Sequence, residues 1–137
     1  MRFVYSLLNR IRQRFRPRRP PSLGQRGEDE AAAFLRKAGY KILHRNLILG
    51  KNEIDIIVQK ADTVVFVEVK TRASDSYLSP EANVTFAKRR KLSKAGRRYM
   101  RQRDDDSLYY RYDIIAVVLP DGGTAEITHF ENAFSPE

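Results

Sequence analysis

The most regular hydrophobic pattern of the chain lies at residues 53–72, where apolar residues alternate with polar ones along EIDIIVQKADTVVFVEVKTR. Alternation with a period of two predicts β-strands, and the central Ala61–Asp62 step predicts a tight turn between two of them. Residues whose numbers add up to 123 then face each other, which places Asp55 opposite Glu68. These two acids and Lys70 therefore lie among apolar neighbours, where an unpaired charge loses most of its hydration.

The remaining pattern predicts two helices and three more strands. Helical periodicity covers residues 25–38 with Gly39 as the terminator, and it returns after Thr85, which can cap a second helix. Apolar runs predict further strands at residues 40–49, 109–119 and 124–130. The order is helix, three strands, helix, strand and one extra strand. It predicts an α/β fold with a mixed sheet covered by helices, because a strand–helix–strand step places parallel strands in one sheet.

Two carboxylates that face each other across a hairpin repel, unless one holds a proton or a cation lies between them. Mg²⁺ takes one or two carboxylates and completes its shell with water and phosphate oxygens, so Asp55 and Glu68 are predicted ligands of Mg²⁺ or Mn²⁺. Lys70 points to the same face, ~6.6 Å farther along the strand, which is long for a direct salt bridge but suits two groups that flank one substrate. It is predicted to orient the attacking water and to stabilise charge on a phosphate. A structural ion-pair network is the alternative interpretation.

The net charge of +9 is concentrated in the first 26 of the 137 residues, which hold eight arginines and no acid. The other 111 residues carry 18 basic and 17 acidic side chains. A second acid-free basic segment runs from Lys88 to Arg103. Both segments favour a polyanionic partner, with nucleic acid ahead of anionic lipid.

A basic tail at residues 1–23 and a folded domain at residues 24–137 are predicted. Apolar residues at every fourth position from Phe3 to Phe15 form one stripe on a basic helix, which suits an anionic membrane surface or nucleic acid. A weakly ordered, solubilising tail is an equally weighted alternative. The tail contains no apolar run as long as a signal-peptide core or a membrane span. The chain also lacks cysteine, so a reducing, cytoplasmic location is expected.

Glu28 precedes Ala31, Ala32 and Leu35 by three, four and seven residues, so it is predicted to share their inward face. The alternative role for Glu28 is a first-turn acid that complements the helix dipole. Asp113, inside a strand, is interpreted as the structural partner of a buried arginine, and an acid that supports the site residues is the alternative. Some basic residues of the second helix are predicted to contact a nucleic-acid backbone. The candidates are Lys88, Arg89, Arg90, Lys91, Lys94, Arg97 and Arg98.

The segments EID and FVEVKTR resemble the PD-(D/E)xK nuclease signature, with Asp55 as the first acid and Glu68 and Lys70 in the (D/E)xK element. More closely, the segments GQRGEDEAAAFLRKAGYKIL, EIDII, VFVEVKTR, SPEANVT, KRRKL, RYDIIAV and HFENAF resemble the YraN family of bacterial endonuclease-like proteins. Archaeal Holliday junction resolvases have a similar arrangement, including a helix glutamate that corresponds to Glu28. The likeness covers nearly all of the domain after the tail.

This resemblance implies a restriction-endonuclease-like core in which Glu28, Asp55, Glu68 and Lys70 converge as catalytic residues. The implied activity is metal-dependent hydrolysis of phosphodiester bonds in DNA, including branched DNA. Two other functions stay open. One is a nucleic-acid-binding module of the nuclease fold without catalysis, and the other is a peripheral membrane or partner-binding protein that uses the tail. The sequence also leaves a homodimer open.

Overall fold

A computed structural model of the protein describes residues 19–74 and 84–136. The elements are α1 (Leu23–Lys37), β1 (Lys41–Leu49), β2 (Asn52–Lys60), β3 (Thr63–Ala73), α2 (Phe86–Arg103), β4 (Tyr109–Leu119) and β5 (Glu126–Phe130). The predicted α/β class and the predicted order of elements are confirmed. Most of the predicted tail, and the loop that precedes Val84, lie outside the described residues.

The described strands form one five-stranded sheet in the order β1-β2-β3-β4-β5. Strands β3 and β4 are parallel, and the other three neighbouring pairs are antiparallel. Helix α2 lies between β3 and β4 in the chain, as the parallel pair requires. The predicted mixed sheet is therefore confirmed.

The hairpin of β2 and β3 has the predicted register, from Lys60 opposite Thr63 to Ile56 opposite Val67. Its ladder ends at that last pair, whereas β3 stays paired with β4 as far as Ala73. Pairing between β2 and β3 therefore stops one pair short of Asp55 and Glu68. The predicted Asp55–Glu68 pair is not part of the ladder, and the polar end of the hairpin is not closed by backbone hydrogen bonds.

Both helices begin and end at residues with recognisable capping chemistry. The Ser22 hydroxyl accepts from the Gln25 N–H, and the Gln25 side chain accepts from the Ser22 N–H, so α1 starts two residues earlier than the periodicity predicts. Gly39 follows α1 with a φ of 92°, which confirms it as the terminator. The Thr85 hydroxyl accepts from the Lys88 N–H at 3.2 Å, which confirms the predicted cap of α2.

The two helices cover opposite faces of the sheet. Successive residues of a strand point to opposite faces, so the packing partners of β3 show which helix covers which face. In β3, Val65 and Val67 belong to the cluster that contains the buried residues of α1, whereas Phe66 belongs to the cluster that contains those of α2. Strand β3 is thus buried on both faces. Glu68 lies two residues after Phe66, on the face covered by α2.

Asp113 on β4 holds β5 and the chain after it in place. Its buried carboxylate accepts hydrogen bonds from Arg111 at 2.8 and 3.0 Å and from the Asn132 N–H at 2.9 Å, and it bonds His129 Nε2 at 2.7 Å. Burial alone would raise the pKa of Asp113, but the bonds to His129, Arg111 and Asn132 hold it below its ordinary value. The predicted partnership with an arginine is confirmed, but Arg111 is only partly buried.

Gly27 allows α1 to approach β3 closely beside the polar end of the sheet. A Cβ atom at Gly27 would lie 2.7 Å from the Cβ atom of Thr71. We expect Gly27→Ala to lower the free energy of unfolding by roughly 1–2 kcal/mol, because overpacking costs more than the gain in helix propensity. Urea unfolding measures the effect, with Gly24→Ala as the control.

The same Cβ at Gly24, also in α1, would lie 4.0 Å from the Ser22 hydroxyl. Gly24→Ala is therefore expected to be neutral or slightly stabilising. Equal effects of the two substitutions would contradict the close approach at Gly27.

Candidate active site

Asp55 is bound at the point where the β2–β3 ladder ends. Its Oδ2 accepts a hydrogen bond from the Val69 N–H at 2.8 Å, so a side-chain oxygen takes the place of a backbone carbonyl of β2. This bond draws the partly buried carboxylate toward β3 and toward Glu68. Burial raises the pKa of Asp55, whereas the Val69 N–H opposes that rise.

Glu68 is the most constrained acid of this region, with only 4% of its surface exposed. Its Oε1 lies 3.6 Å from Lys88 Nζ and 3.9 Å from Lys70 Nζ. Its Oε2 is buried and receives no N–H donor among the described residues, whereas the Glu68 and Asp55 side chains lie within hydrogen-bond reach of each other. Burial, reinforced by the charge of Asp55, raises the pKa of Glu68 to about 7. The two acids thus form a desolvated pair that favours a shared proton or a cation.

Lys70 lies closer to Glu68 than the strand geometry predicts. The expectation that the two residues are too far apart for a direct ion pair is wrong, because the flexible lysine stem brings Nζ back to 3.9 Å from Glu68 Oε1. The Lys70 side chain keeps 29% of its surface exposed, compared with 5% for that of Glu68. The ammonium group therefore lies between the buried acids and solvent, where a substrate can approach.

Glu28 lies on α1 where the helical spacing predicts, partly buried, while Asp29 and Glu30 are exposed. The first turn of α1 holds no acid, so the alternative of a first-turn acid is wrong. Asn46 Nδ2 donates to Glu28 Oε2 at 2.9 Å and to Glu53 Oε1 at 3.0 Å. Burial raises the pKa of Glu28, the Asn46 bond opposes this, and the charge of Asp55 raises it further. Glu28 and Asp55 are therefore electrostatic neighbours.

The sequence did not predict the role of Asn46, whose side chain links Glu28 of α1 to Glu53 of β2. Asn46 adopts a φ of 51° inside β1, a left-handed conformation that asparagine tolerates better than most residues. In the sequence Asn46 follows the polar His44 and Arg45 within the same strand, so no pattern singled it out.

Residues 19–74 and 84–136 contain no group of three or more Asp, Glu, His or Cys side chains that could hold a metal ion by themselves. Glu28 consequently does not join Asp55 and Glu68 as a third ready-made ligand. The Asp55–Glu68 pair still fits a hard divalent cation, because it offers carboxylate oxygens and includes a buried oxygen without a donor. Mg²⁺ needs only one or two protein carboxylates when water and phosphate complete its shell.

The predicted nucleic-acid-binding residues of α2 divide into three groups. Lys88 contacts Glu68, although part of its side chain stays exposed. Arg89 supports the fold, because its Nε donates to the Val84 carbonyl at 3.2 Å and its guanidinium lies 5.6 Å from the centre of the Phe134 ring. The exposed members are Arg90, Lys91, Lys94, Arg97 and Arg98.

The exposed basic residues of α2 border two open grooves. Arg90, Lys91, Lys94 and Arg97 line a groove of about 350 Å³. The second groove, of about 300 Å³, lies between α2 and the β1–β2 turn and is lined by Lys94, Lys51, Arg98 and Arg101, among others. Clustered cations on one side of a helix suit contact with consecutive phosphates. None of the helices in the described part of the chain has the length and apolar character needed to cross a bilayer.

Comparison with known proteins places this arrangement in a family. A sequence profile described as "Uncharacterised protein family UPF0102" matches residues 27–117. A UPF0102 protein of Chloroherpeton thalassium is 44% identical over 98 residues, which cover 72% of this chain and 76% of the relative. A UPF0102 protein of Syntrophotalea carbinolica is 43% identical over 113 residues, covering 82% of this chain and 91% of the relative. The chain therefore belongs to the UPF0102 family, which is the YraN family that its sequence motifs resemble.

Proposed function

We propose that the protein is a divalent-metal-dependent nuclease that hydrolyses phosphodiester bonds in DNA. The observation that carries this proposal is Glu68, a buried carboxylate within hydrogen-bond reach of Asp55, whose Oε2 receives no N–H donor among the described residues. A purely structural acid at this depth is expected to have both oxygens satisfied. An acid that accepts a metal ion leaves one oxygen available.

Asp55 and Glu68 would hold the ion. When bound, Mg²⁺ or Mn²⁺ supplies positive charge beside the phosphate and lowers the pKa of a coordinated water. The Val69 N–H fixes one oxygen of Asp55, so this acid presents its carboxylate in one orientation.

Lys70 would stabilise negative charge on the phosphate and orient the attacking water, because its ammonium borders both the acids and solvent. Glu28 would accept or hold a proton at the outer side of the site, because burial raises its pKa above the ordinary value of a glutamate. A groove of about 550 Å³ opens beside Glu28 and includes Arg45 and Asn46 among its lining residues.

Cleavage assays test the proposal directly. Single-stranded, duplex and branched DNA, each incubated with Mg²⁺, with Mn²⁺ or with EDTA, should show cleavage only with a divalent ion. Asp55→Asn is expected to be inactive, because a neutral amide binds a hard cation more weakly than a carboxylate. Cleavage that persists in EDTA, or that Asp55→Asn retains, would show that a contaminant or another site is responsible.

A second candidate function is a nucleic-acid-binding module without catalysis. The observation that favours it is the presence of two lysines within 4 Å of Glu68, which partly neutralise the acid without a metal. Calorimetric titration with Mn²⁺ separates the candidates. The module binds DNA without binding Mn²⁺, whereas the nuclease binds both.

The exposed face of α2 gives a prediction about salt dependence. Lys94 borders both basic grooves, so Lys94→Ala should weaken DNA binding at every sequence tested. The slope of log K against log salt concentration should become shallower by about 0.9 for each lost phosphate contact to duplex DNA. Fluorescence anisotropy at several salt concentrations measures the slope, and Lys37→Ala, on the exposed end of α1, is the control. Equal slopes for the two variants would contradict the assignment of α2 as the DNA-binding face.

A further inference from the structure

Lys88 lies where electrostatics alone disfavours a lysine. It is in the first turn of α2, next to the positive end of the helix dipole, and that turn contains no acid. Its side chain is 37% exposed, and its Nζ lies 3.6 Å from Glu68 Oε1. The unfavourable position on the helix is therefore offset by a contact with a buried acid of β3.

Through this contact Lys88 places a positive charge beside Glu68, as a bound metal ion would do. Lys88 is charged, it comes from an element other than the strands of the acid pair, and it approaches the same carboxylate that the proposed ion needs. We infer that Lys88 is a built-in counter-ion of Glu68 that a divalent ion must displace. This inference rests on the proposed metal site at Asp55 and Glu68.

Displacement requires little rearrangement. The ammonium of Lys88 is carried on a flexible four-carbon stem, so Nζ can move away while the backbone of α2 stays in place. Lys70 remains beside Glu68 on β3 when Lys88 leaves. Lys88 therefore sets how strongly the acid pair binds a cation, and we assign it as a positioning residue of the site.

Calorimetric titration of Mn²⁺ into the 137-residue protein at pH 8 tests this inference. Lys88→Met should bind Mn²⁺ about three- to tenfold more tightly than the wild type, because the ion no longer displaces a partly exposed ion pair. Lys88→Arg, which keeps the charge, should remain near the wild type. Lys37→Met removes an exposed lysine at the end of α1 and should change the affinity less than twofold.

A double-variant comparison separates the counter-ion from a general charge effect. In a Glu68→Gln background, Lys88→Met should no longer tighten Mn²⁺ binding, because the paired carboxylate is absent. Thermal unfolding in EDTA verifies that every variant is folded.

The outcomes distinguish the two proposals. If the wild type binds Mn²⁺ and Lys88→Met binds it no more tightly, the counter-ion inference fails while the metal site stands. Binding by Lys88→Met alone supports the counter-ion, since the lysine then blocks the site. If neither protein binds Mn²⁺, the metal site and the inference that rests on it are both wrong.

Discussion

Lys70→Met is expected to lower metal-dependent DNA cleavage by ~10²-fold or more, while Mn²⁺ and DNA affinities stay within a few-fold of wild type. The ammonium lies 3.9 Å from Glu68 and its side chain remains partly exposed, so it can reach a phosphate group that is bound beside the acids. Methionine preserves most of the stem but removes the charge. Single-turnover cleavage at saturating Mn²⁺ and saturating DNA isolates the chemical step from binding.

Comparison with Lys88→Met shows whether Lys70 acts in the reaction or only as a counter-ion. Both lysines contact the same oxygen of Glu68. If Lys70 were only a counter-ion, Lys70→Met would therefore bind the metal ion more tightly than the wild type, as Lys88→Met is expected to do. A residue that stabilises the transition state lowers the rate at saturating metal. Lys37→Met, at the exposed end of α1, controls for the loss of one positive charge. A wild-type rate for Lys70→Met would remove Lys70 from the reaction.

The hairpin was well predicted from the sequence because its register depends on residues that are close together in the chain. The period of two assigns residues to faces, and the Ala61–Asp62 turn fixes the register, so every observed pair from Lys60–Thr63 to Ile56–Val67 agrees with the prediction. Helix caps and terminators are local too. Thr85 and Gly39 were predicted for that reason.

The parts of the candidate site that sequence reasoning missed depend on contacts between distant segments. Lys88 reaches Glu68 from 20 positions away in the chain, and Asn46 reaches Glu28 from 18. Nothing in the charge pattern of α2 distinguishes Lys88 from its neighbours, because the side that faces the acid depends on how the helix packs. The close approach of Gly27 to Thr71 is likewise a property of packing.

Glu68→Gln is expected to stabilise the metal-free protein at pH 8 by about 3 kcal/mol. Burial and Asp55 raise the pKa of Glu68 from its ordinary 4.5 to about 7. Each pKa unit corresponds to about 1.4 kcal/mol of differential stability between the two protonation states. Because the side chain is only 5% exposed, solvent screens little of this cost. The expected effect exceeds the roughly 0.2–1 kcal/mol of an ordinary cross-strand pair.

The pH dependence follows from the direction of the shift. Folded Glu68 holds its proton more tightly than the unfolded chain does, so the wild type loses stability as pH rises from about 4.5 to about 7 and stays less stable above that range. The variant has no proton to lose at this position. The two proteins should therefore be similarly stable at pH 4.5 and should diverge up to pH 7. Titrating groups far from Glu68 cancel in this difference, whereas Asp55, which interacts with Glu68, contributes to it.

Urea unfolding in EDTA across this pH range measures the difference, and Glu30→Gln on the exposed side of α1 is the matched control.

Mn²⁺ should then reduce the difference in the free energy of unfolding between the wild type and Glu68→Gln. An ion at a hundredfold excess over its Kd adds about 2.7 kcal/mol to the stability of a protein that binds it only when folded. The variant lacks one of the two charged ligands and should gain much less. If Glu68→Gln is instead destabilised in EDTA at pH 8 and Mn²⁺ stabilises neither protein, Lys70 and Lys88 are the permanent partners of Glu68. The acid pair is then a structural ion-pair network, and the proposed metal site is wrong.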